Sequence, residues 1–384
     1  MLPVTYMMKH SHSPHEGRPA TMEDLARATG LSKMTISRAL NTSGYVSEQS
    51  RKKVIAAARQ FNYRLNYIGR NLNQNRTGML GIITPLEGLI GTYYFGQIVK
   101  GIQSALIGTD YHIAHYDSLS ADFNDGEKCA QLCYQKRVDG LIVIAPKRHD
   151  CFVKTFAELK VPLVVVGGAP RDPRTSFIDV DNFGGASSAA EHLIDLGHYK
   201  IGFVAGPKTL HDACEREMAF RKTLARHSLR VNEKWVIQGS YETRKAFHAS
   251  LHLLSQRDRP TAIFASNDLM ALGVLDAARI IGLSVPEELS IAGFDDIDAA
   301  TNVQPQLTTV RQPMQRMGRK AVEYIMELVA KGNQERHLIH QKLTAQLIIR
   351  ESTAQARKTT QTTGQARGVD KVPFSHFVTG TSGL

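Results

Sequence analysis

The chain has 384 residues, of which 42% are hydrophobic, and its formal net charge is +11. This length indicates two or three domains with substantial cores, and no apolar run approaches the roughly 20 residues of a membrane span. The four cysteines, Cys129, Cys133, Cys151 and Cys214, are too few for a disulfide scaffold and lack metal-site spacing. These features favour a protein of the reducing cytoplasm.

The positive charge is concentrated at the N-terminus. Residues 1–78 contain 12 Lys and Arg against 4 Asp and Glu, whereas residues 79–350 contain 31 against 30. This asymmetry is typical of a small segment that meets phosphates, attached to a body with another task. Residues 1–19 are polar and lack the apolar segment of a signal peptide, so we expect a disordered leader.

Residues 21–45 have the pattern of a helix-turn-helix. Met22, Leu25 and Ala26 form an apolar stripe at helical spacing, Gly30 ends that helix, and Ser32 is placed as the N-cap of a second one. An ordinary helical hairpin has the same spacing. The pattern therefore favours a DNA-reading head without excluding a purely structural hairpin.

The second helix has two distinct faces. Its predicted inner face is formed by Ile36, Ala39 and Leu40. Its outer face is polar and basic, and comprises Lys33, Met34, Ser37 and Arg38. A third helix is predicted from Ser47 to about Phe61, with an inner stripe of Val54, Ile55, Ala58 and Phe61. The polar segment after it, which contains Gly69 and several Asn, is predicted to be a linker that becomes ordered only with a partner.

From Met79 onward, strands and helices alternate. The predicted strands are 80–85, 111–116, 139–145, 161–166, 176–179, 200–205, 234–238, 261–265 and 289–293. The predicted helices are 95–106, 125–136, 150–159, 183–196, 213–228, 243–256, 268–282 and 314–330. Short apolar stretches at 337–339 and 343–349 close the series. This alternation predicts two parallel sheets with a ligand cleft at the carboxyl ends of their strands.

Several motifs in this order resemble the LacI–GalR (lactose/galactose repressor) family of bacterial transcription regulators, and the resemblance covers residues 21–350. The motifs are Asp24-Leu-Ala-Arg-Ala-Thr-Gly-Leu-Ser32, Thr35-Ile-Ser-Arg-Ala-Leu-Asn41, Tyr45-Val-Ser, Arg137-Val-Asp-Gly-Leu-Ile142, Ala190-Glu-His-Leu-Ile-Asp-Leu-Gly-His198, Pro260-Thr-Ala-Ile-Phe-Ala-Ser-Asn-Asp-Leu-Met-Ala-Leu-Gly273, Gly293-Phe-Asp-Asp296 and Leu307-Thr-Thr-Val-Arg-Gln-Pro313.

The resemblance implies a small all-α helix-turn-helix head and an α/β periplasmic-binding-protein-like body of two parallel-sheet subdomains. The implied domains are a leader (1–19), a DNA-binding head (20–65), a hinge segment (66–78), an effector-binding and dimerisation body (79–350) and a disordered tail (351–384). Within the body, the N-subdomain comprises about 79–178 and 310–339, and the C-subdomain about 179–309 and 340–350.

The resemblance also implies which residues contact DNA. Lys33 and Met34 match the positions that read bases in the major groove, where Lys33 can donate to guanine and Met34 can contact a thymine methyl group. The other matching positions contact phosphates or base edges, and they are Thr35, Ser37, Arg38, Asn41 and Tyr45. Leu72 matches the hinge leucine that enters the minor groove and kinks the duplex.

The hinge departs from the family pattern at two positions. Leu65 stands where the family usually has Pro, and Gly69 stands where it usually has Ala. Glycine costs about 1 kcal/mol of helix propensity relative to alanine. We therefore expect weaker hinge ordering in this chain.

Effector residues follow from the same resemblance. Arg216, Asn267 and Asp295 match polar contact positions, and Tyr241 matches an aromatic that stacks on the ligand. Tyr94 and Phe95 are expected to close the other side of the cleft. This set suits a sugar, while the nearby Lys208 and His211 leave a sugar acid open. Asp268 and Asp296 are expected to have helix N-cap and structural roles.

These features together predict a cytoplasmic, homodimeric repressor without a cofactor or metal. Its predicted partners are double-stranded operator DNA with a pseudo-palindromic sequence and a small effector, a sugar or sugar acid. Two alternatives stay open at this point: an enzyme that uses Asp295 and Asp296 as a carboxylate pair, and a transport binding protein. The basic head is unexplained by either of them.

Overall fold

The computed structural model describes residues 19–41, 44–64, 76–85, 89, 91–120, 126–148, 150–170, 172–331 and 337–357. The chain forms two compact units. Unit 1 comprises the chain through Asp179 together with Met314–Gln341, and unit 2 comprises Val180–Pro313 together with the chain from Lys342. None of the described helices is long and apolar enough to cross a membrane.

Within unit 1, three helices form the head: α1 (Met22–Thr29), α2 (Lys33–Leu40) and α3 (Glu48–Gln60). The side chains of Thr21, Ser32 and Ser47 each accept a hydrogen bond from a backbone N–H in the first turn of the helix that follows. Gly30 ends α1 in the left-handed conformation, with φ of 66°. The three predicted helices and the two predicted cap residues of the helix-turn-helix are confirmed.

One prediction about the head was wrong. Ile55 was expected on the inner face of α3, but its side chain is 39% exposed. The core of the head is formed by Leu25, Ile36, Ala39, Val54 and Ala57. A helix turns about 100° per residue, so residues three and four positions after Val54 share its face, whereas Ile55 points away from it.

The sheet of unit 1 has the strand order β11-β5-β4-β3-β1-β2, and the neighbours from β5 to β2 pair in parallel. The strands are β1 (Met79–Thr84), β2 (His112–Asp117), β3 (Gly140–Ile144), β4 (Leu163–Val166), β5 (Phe177–Val180) and β11 (His340–Leu343). The helices are α4 (Tyr93–Leu106), α5 (Gly126–Tyr134), α6 (Cys151–Glu158) and α12 (Met314–Lys331).

The sheet of unit 2 has the order β12-β10-β9-β8-β6-β7, and only the β10–β12 pair is antiparallel. The strands are β6 (Ile201–Ala205), β7 (Val236–Gln238), β8 (Ala262–Ala265), β9 (Ser290–Asp295), β10 (Thr308–Arg311) and β12 (Gln346–Ile348). The helices are α7 (Asn182–Asp195), α8 (His211–Arg226), α9 (Thr243–Leu254), α10 (Asp268–Ile281) and α11 (Ala299–Asn302). The predicted fold class is confirmed, although the short and partly polar β10 was not anticipated.

The first residues of the predicted tail are ordered rather than disordered. The Ser352 hydroxyl donates to the Ile291 carbonyl at 2.6 Å and accepts from the Thr308 N–H at 2.8 Å. The Ala356 N–H donates to the Leu196 carbonyl at 2.7 Å. Hydrogen bonds to backbone groups thus fix residues 351–357 without large apolar side chains, which composition alone did not indicate. The rest of the predicted tail, the leader through residue 18, and the hinge positions Leu65, Gly69 and Leu72 lie outside the described residues.

Helices α4 and α12 approach each other closely at two glycines. A Cβ on Gly101 would overlap the backbone carbonyl of Gln315, and a Cβ on Gly318 would overlap that of Ile98. Since backbone atoms cannot step aside like a flexible side chain, glycine is required at this crossing. The contact fixes α12 against α4, which is the helix that carries Tyr94 and Phe95.

We predict that Gly101→Ala destabilises the protein by about 1–3 kcal/mol because the added methyl group forces the two helices apart. Gly96→Ala on the same helix is the matched control, since no atom of the described residues outside its own stretch of helix lies within 4 Å of the position that its Cβ would take. Because alanine has a higher helix propensity than glycine, this variant should be as stable as the wild type or about 1 kcal/mol more stable. Thermal unfolding followed by circular dichroism measures both, and equal effects of the two substitutions would contradict the close-packing explanation.

Candidate functional site

The outer face of α2 is available for contact with a partner. Lys33, Met34 and Arg38 are exposed, and Met34 keeps 62% of its surface in solvent. Thr35 and Ser37 are half-buried on the same helix. This face thus presents cations that suit phosphates and base acceptors and an apolar side chain that suits a base edge in a groove.

The residues after α2 extend this face. The side-chain amide of Asn41 donates to the Ser37 hydroxyl at 3.2 Å, which places Asn41 on the same side of the helix. Tyr45 is 92% exposed. Lys33 Nζ lies 3.2 Å from Glu23 Oε2 in an exposed ion pair that a phosphate could displace. Of the predicted DNA contacts, only Leu72 falls outside the described residues.

A second candidate site is organised around Arg216 in unit 2. Its side chain is almost fully buried. Its Nε donates to Asn182 Oδ1 at 2.9 Å and its Nη1 donates to the Ser266 carbonyl at 2.7 Å. The guanidinium carbon lies 3.8 Å from the centre of the Phe294 ring, in cation–π contact.

Two carboxylates flank the guanidinium. Asp212 Oδ2 lies 3.6 Å from Arg216 Nη2 and accepts a hydrogen bond from the Tyr241 hydroxyl at 2.7 Å. Asp295 Oδ1 lies 3.6 Å from Arg216 Nη1 and accepts from the Gln312 side-chain amide at 2.6 Å. The structure therefore brings together three of the predicted effector residues, and we call the whole group the Arg216 cluster. It comprises Asn182, Asp212, Arg216, Tyr241, Ser266, Phe294, Asp295 and Gln312.

Sequence reasoning missed several members of this cluster. Asp212 precedes Arg216 by four residues on α8, a spacing that places both side chains on one helix face and could have indicated it. Gln312 lies in one of the family motifs but was given no role there. Asn182 shows no local signal, because its contact with Arg216 joins residues that are distant in sequence.

Asn267 has a structural role that the sequence did not indicate. Its side chain is buried, and Oδ1 accepts from the Met270 N–H at 2.9 Å, so Asn267 is the N-cap of α10. Asp268 is therefore not the N-cap of this helix, and its role is the structural one that was also expected. The carboxylate of Asp268 instead accepts from the Ile297 N–H at 2.9 Å and from the Thr309 hydroxyl.

Asp268 supports a strained turn at the end of β9. Asp295 has φ of 126° and Asp296 has φ of 59°, both in regions that L-residues rarely adopt. The next residue, Ile297, is held by the Asp268 carboxylate, and Asp296 is held by Arg311 and Arg350. The turn presents Asp295 to Arg216 and directs Asp296 to Arg311 and Arg350. Because the two carboxylates have separate partners, this arrangement opposes the enzyme alternative, which uses them as a pair.

The two predicted aromatic contacts lie in the first turn of α4 in unit 1. Thr92 caps this helix, because its hydroxyl accepts from the Phe95 N–H at 3.3 Å. The Tyr94 hydroxyl packs against Gly167, where a Cβ would overlap it. The Phe95 ring lies 5.8 Å from the His115 ring. Both aromatic side chains are half-buried.

Burial dominates the electrostatics of the cluster. Desolvation raises the pKa of Asp295 to about 6, although Arg216 and Gln312 favour its charged form. Desolvation also raises the pKa of Tyr241 and that of Asp268 well above their usual values. Because a pKa of about 6 leaves Asp295 mostly ionised at neutral pH, its charge offsets that of the Arg216 guanidinium. Among the described residues, no group of three His, Cys, Asp or Glu side chains could hold a metal ion.

Comparison with protein families agrees with this two-part organisation. Residues 21–66 match the family described as "Bacterial regulatory proteins, lacI family", and residues 190–353 match a periplasmic binding protein-like domain. The chain is 31% identical over 334 residues to the HTH-type transcriptional repressor PurR of Photobacterium profundum, a match that covers 87% of this chain and 98% of that protein.

Solved structures show the same architecture. The lac repressor dimer bound to operator and the anti-inducer ONPF aligns with a TM-score of 0.76 and 27% identity, over 88% of this chain and all of that one. A complex of the transcriptional regulator CelR with cellobiose aligns with a TM-score of 0.66 and 28% identity, over 87% of this chain and all of that one.

The raised pKa of Asp295 predicts a defined pH effect on stability. The folded protein holds this proton more tightly than the unfolded chain, so the stabilisation is complete below the unfolded pKa of 3.8 and is lost as the pH rises to about 6. Relative to Asp295→Asn, the wild-type free energy of unfolding should fall by about 2 kcal/mol across this range. Urea unfolding followed by fluorescence of Trp235, the single tryptophan and a buried residue of unit 2, measures the difference.

Asp276→Asn is the control, because this carboxylate is exposed on α10 and pairs with Arg279. It should follow the wild-type pH dependence. If the free energy of unfolding of Asp295→Asn also follows the wild-type pH dependence, burial does not control the protonation of Asp295.

Proposed function

Because the chain belongs to the LacI family of bacterial regulatory proteins, we propose that it is a homodimeric transcription repressor of the cytoplasm that binds a specific operator under the control of a small hydroxylated effector. The homologues are transcriptional repressors, and neither matched family describes an enzyme. The single observation that carries the proposal is the exposed outer face of α2 on a fully capped three-helix head.

The chemistry of that face supports direct reading of DNA. In a dimer, two copies of α2 would enter successive major grooves of a pseudo-palindromic site. Lys33 and Met34 would meet base edges, while Thr35, Ser37, Arg38, Asn41 and Tyr45 would meet phosphates and neighbouring bases. The proposed minor-groove role of Leu72 stays a prediction.

Selection from randomised duplex DNA by the intact protein tests this function. We expect a pseudo-palindromic consensus, with an affinity that falls as salt rises because phosphate contacts release counterions. No enrichment of any sequence, or an affinity that does not change with salt, would contradict the proposal.

We predict that Lys33→Ala weakens binding to the selected site by about 1–3 kcal/mol and relaxes the preference at one base position of each half-site. Lys52→Ala is the matched control, since Lys52 is also an exposed cation of the head, 3.0 Å from Glu48. Fluorescence anisotropy with the consensus duplex and its single-base variants measures both. Equal losses for the two variants would show that Lys33 contributes only general charge.

Two observations favour a neutral sugar over a sugar acid as the effector. Asp212 and Asp295 flank the one guanidinium, so the Arg216 cluster has no excess positive charge for a carboxylate or phosphate. The basic side chains that suggested an acid lie outside the cluster as defined, because His211 Nε2 lies 3.5 Å from Glu215 Oε1 and the Lys208 side chain is exposed.

The cluster also contains two polar side-chain atoms that no described residue bonds. Ser266 Oγ and Gln312 Oε1 are buried without a hydrogen-bond partner among the described residues. Buried polar atoms are rarely left unpaired, and the hydroxyl groups of a sugar could pair with both. The contributions of Asn267, Tyr94 and Phe95 to this site stay predictions. The similar regulator CelR was solved in complex with cellobiose, which is a neutral sugar.

We predict that one or more neutral sugars raise the melting temperature of the intact protein more than the matched sugar acids do, and that Arg216→Lys abolishes this rise. Lysine cannot reproduce the two directed hydrogen bonds and the ring contact of the guanidinium. Arg226→Lys on the same helix is the control, because Arg226 is exposed and pairs with Glu191. A thermal-shift assay with a panel of aldoses, disaccharides and the corresponding acids measures these effects. A rise in melting temperature with acids alone would overturn the neutral-sugar proposal.

A further inference from the structure

Arg350 lies just after the end of β12 and contacts the strained turn that follows β9. Asp295 and Asp296 in this turn both have positive φ, although neither is glycine. Such conformations are unfavourable for residues with a side chain, and they persist only where surrounding contacts enforce them. The contacts of Asp296 therefore determine whether the turn keeps its shape.

The Asp296 carboxylate is bound on both of its oxygens. Oδ1 accepts a hydrogen bond from Arg350 Nη2 at 2.5 Å, and Oδ2 accepts from Arg311 Nε at 2.6 Å. The two arginines differ in exposure, because the Arg350 side chain is 11% exposed and that of Arg311 is 52% exposed. Solvent screens the exposed pair far more than the buried one. Arg350 is therefore the main partner of Asp296.

Arg350 is itself fixed by the start of β10. Its Nη1 donates to the Leu307 carbonyl at 2.7 Å, and its backbone N–H donates to Thr308 Oγ1 at 2.9 Å. The guanidinium thus donates in two directions from one planar, rigid group. A lysine at this position could keep the charge but could not make both bonds. Arg350 consequently ties the turn to the strand that pairs with β9.

The conformation of the turn decides where the Asp295 carboxylate points. Because the peptide unit between Asp295 and Asp296 is planar, a rotation of the backbone at one residue reorients the other. In the structure, Asp295 Oδ1 lies 3.6 Å from Arg216 Nη1. The residue after Asp296 is anchored as well, since the Ile297 N–H donates to the buried Asp268 carboxylate at 2.9 Å. Both residues that follow Asp295 are thus held by buried side chains.

We propose that Arg350 is a positioning residue for Asp295: by holding Asp296, it keeps the turn in the conformation that directs the Asp295 carboxylate to Arg216. The proposal rests on the effector role proposed for Asp295 above. It adds a residue near the end of the described chain to the effector site, and this residue acts through Asp296 rather than through contact with the effector.

The direction of a change in the pKa of Asp295 separates positioning from a simple charge effect. Burial raises this pKa from 3.8 to about 6. The other titratable or charged groups that face the carboxylate are Arg216 and Asp212 on α8, Asp268 on α10, and Tyr241 ahead of α9. Loss of the cation beside Asp296 would by its charge alone raise the pKa of Asp295, because an unpaired carboxylate would remain nearby. Release of the turn would lower it, because Asp295 would gain access to water.

Urea unfolding of the intact protein from about pH 4 to about pH 8, with and without Asp295→Asn in each background, measures this pKa. We expect Arg350→Met to lower the pKa of Asp295 by about one pH unit or more, since burial is the main cause of its raised value. An unchanged or raised pKa would overturn the proposal. If Arg350→Met does not fold, Arg350→Lys decides by the same criterion, because lysine keeps the charge but not the two directed bonds.

Arg311→Met is the matched comparison, because Arg311 binds the other oxygen of the same carboxylate from an exposed position. We expect the pKa of Asp295 in this variant to stay at its wild-type value or to rise slightly. A fall equal to that of Arg350→Met would overturn the specific role of Arg350. Because the measurement contains neither DNA nor sugar, its failure remains distinguishable from a failure of operator selection or of sugar binding.

Discussion

The burial of Arg216 is the constraint on which the rest of unit 2 depends. A buried guanidinium is strongly unfavourable unless its hydrogen bonds and charge are satisfied. Here Asn182 and Ser266 accept its hydrogen bonds, Phe294 covers one face, and Asp212 and Asp295 supply opposite charge. These partners come from different elements of the sheet and its helices. Satisfying one side chain therefore fixes where those elements meet.

The same arrangement determines which chemical groups the cluster presents. Charge compensation leaves directed hydrogen-bond groups rather than a net positive field, which suits neutral hydroxyl groups. Two of the partners, Asn182 and Gln312, also lie at points where the chain passes between the units.

Much of the fold was predictable from local pattern, and the cluster was predictable only in part. Apolar spacing and cap residues such as Ser32 and Gly30 indicate the head because those effects act within a few residues. Arg216, Tyr241 and Asp295 followed from family resemblance. Asn182 could not be predicted, because its role depends on a contact with a residue far along the chain. The order of residues 351–357 was missed for a similar reason, since Ser352 is held by backbone groups of distant strands.

The most direct measurement is the affinity of the intact protein for its selected operator, with and without a saturating concentration of the sugar that raises its melting temperature. We predict a change of about tenfold or more in Kd, and the same factor in sugar affinity when the operator is present, because linked binding equilibria are reciprocal. An operator Kd that stays constant while the sugar binds would contradict effector control. It would leave a DNA-binding head and a sugar-binding body that act independently.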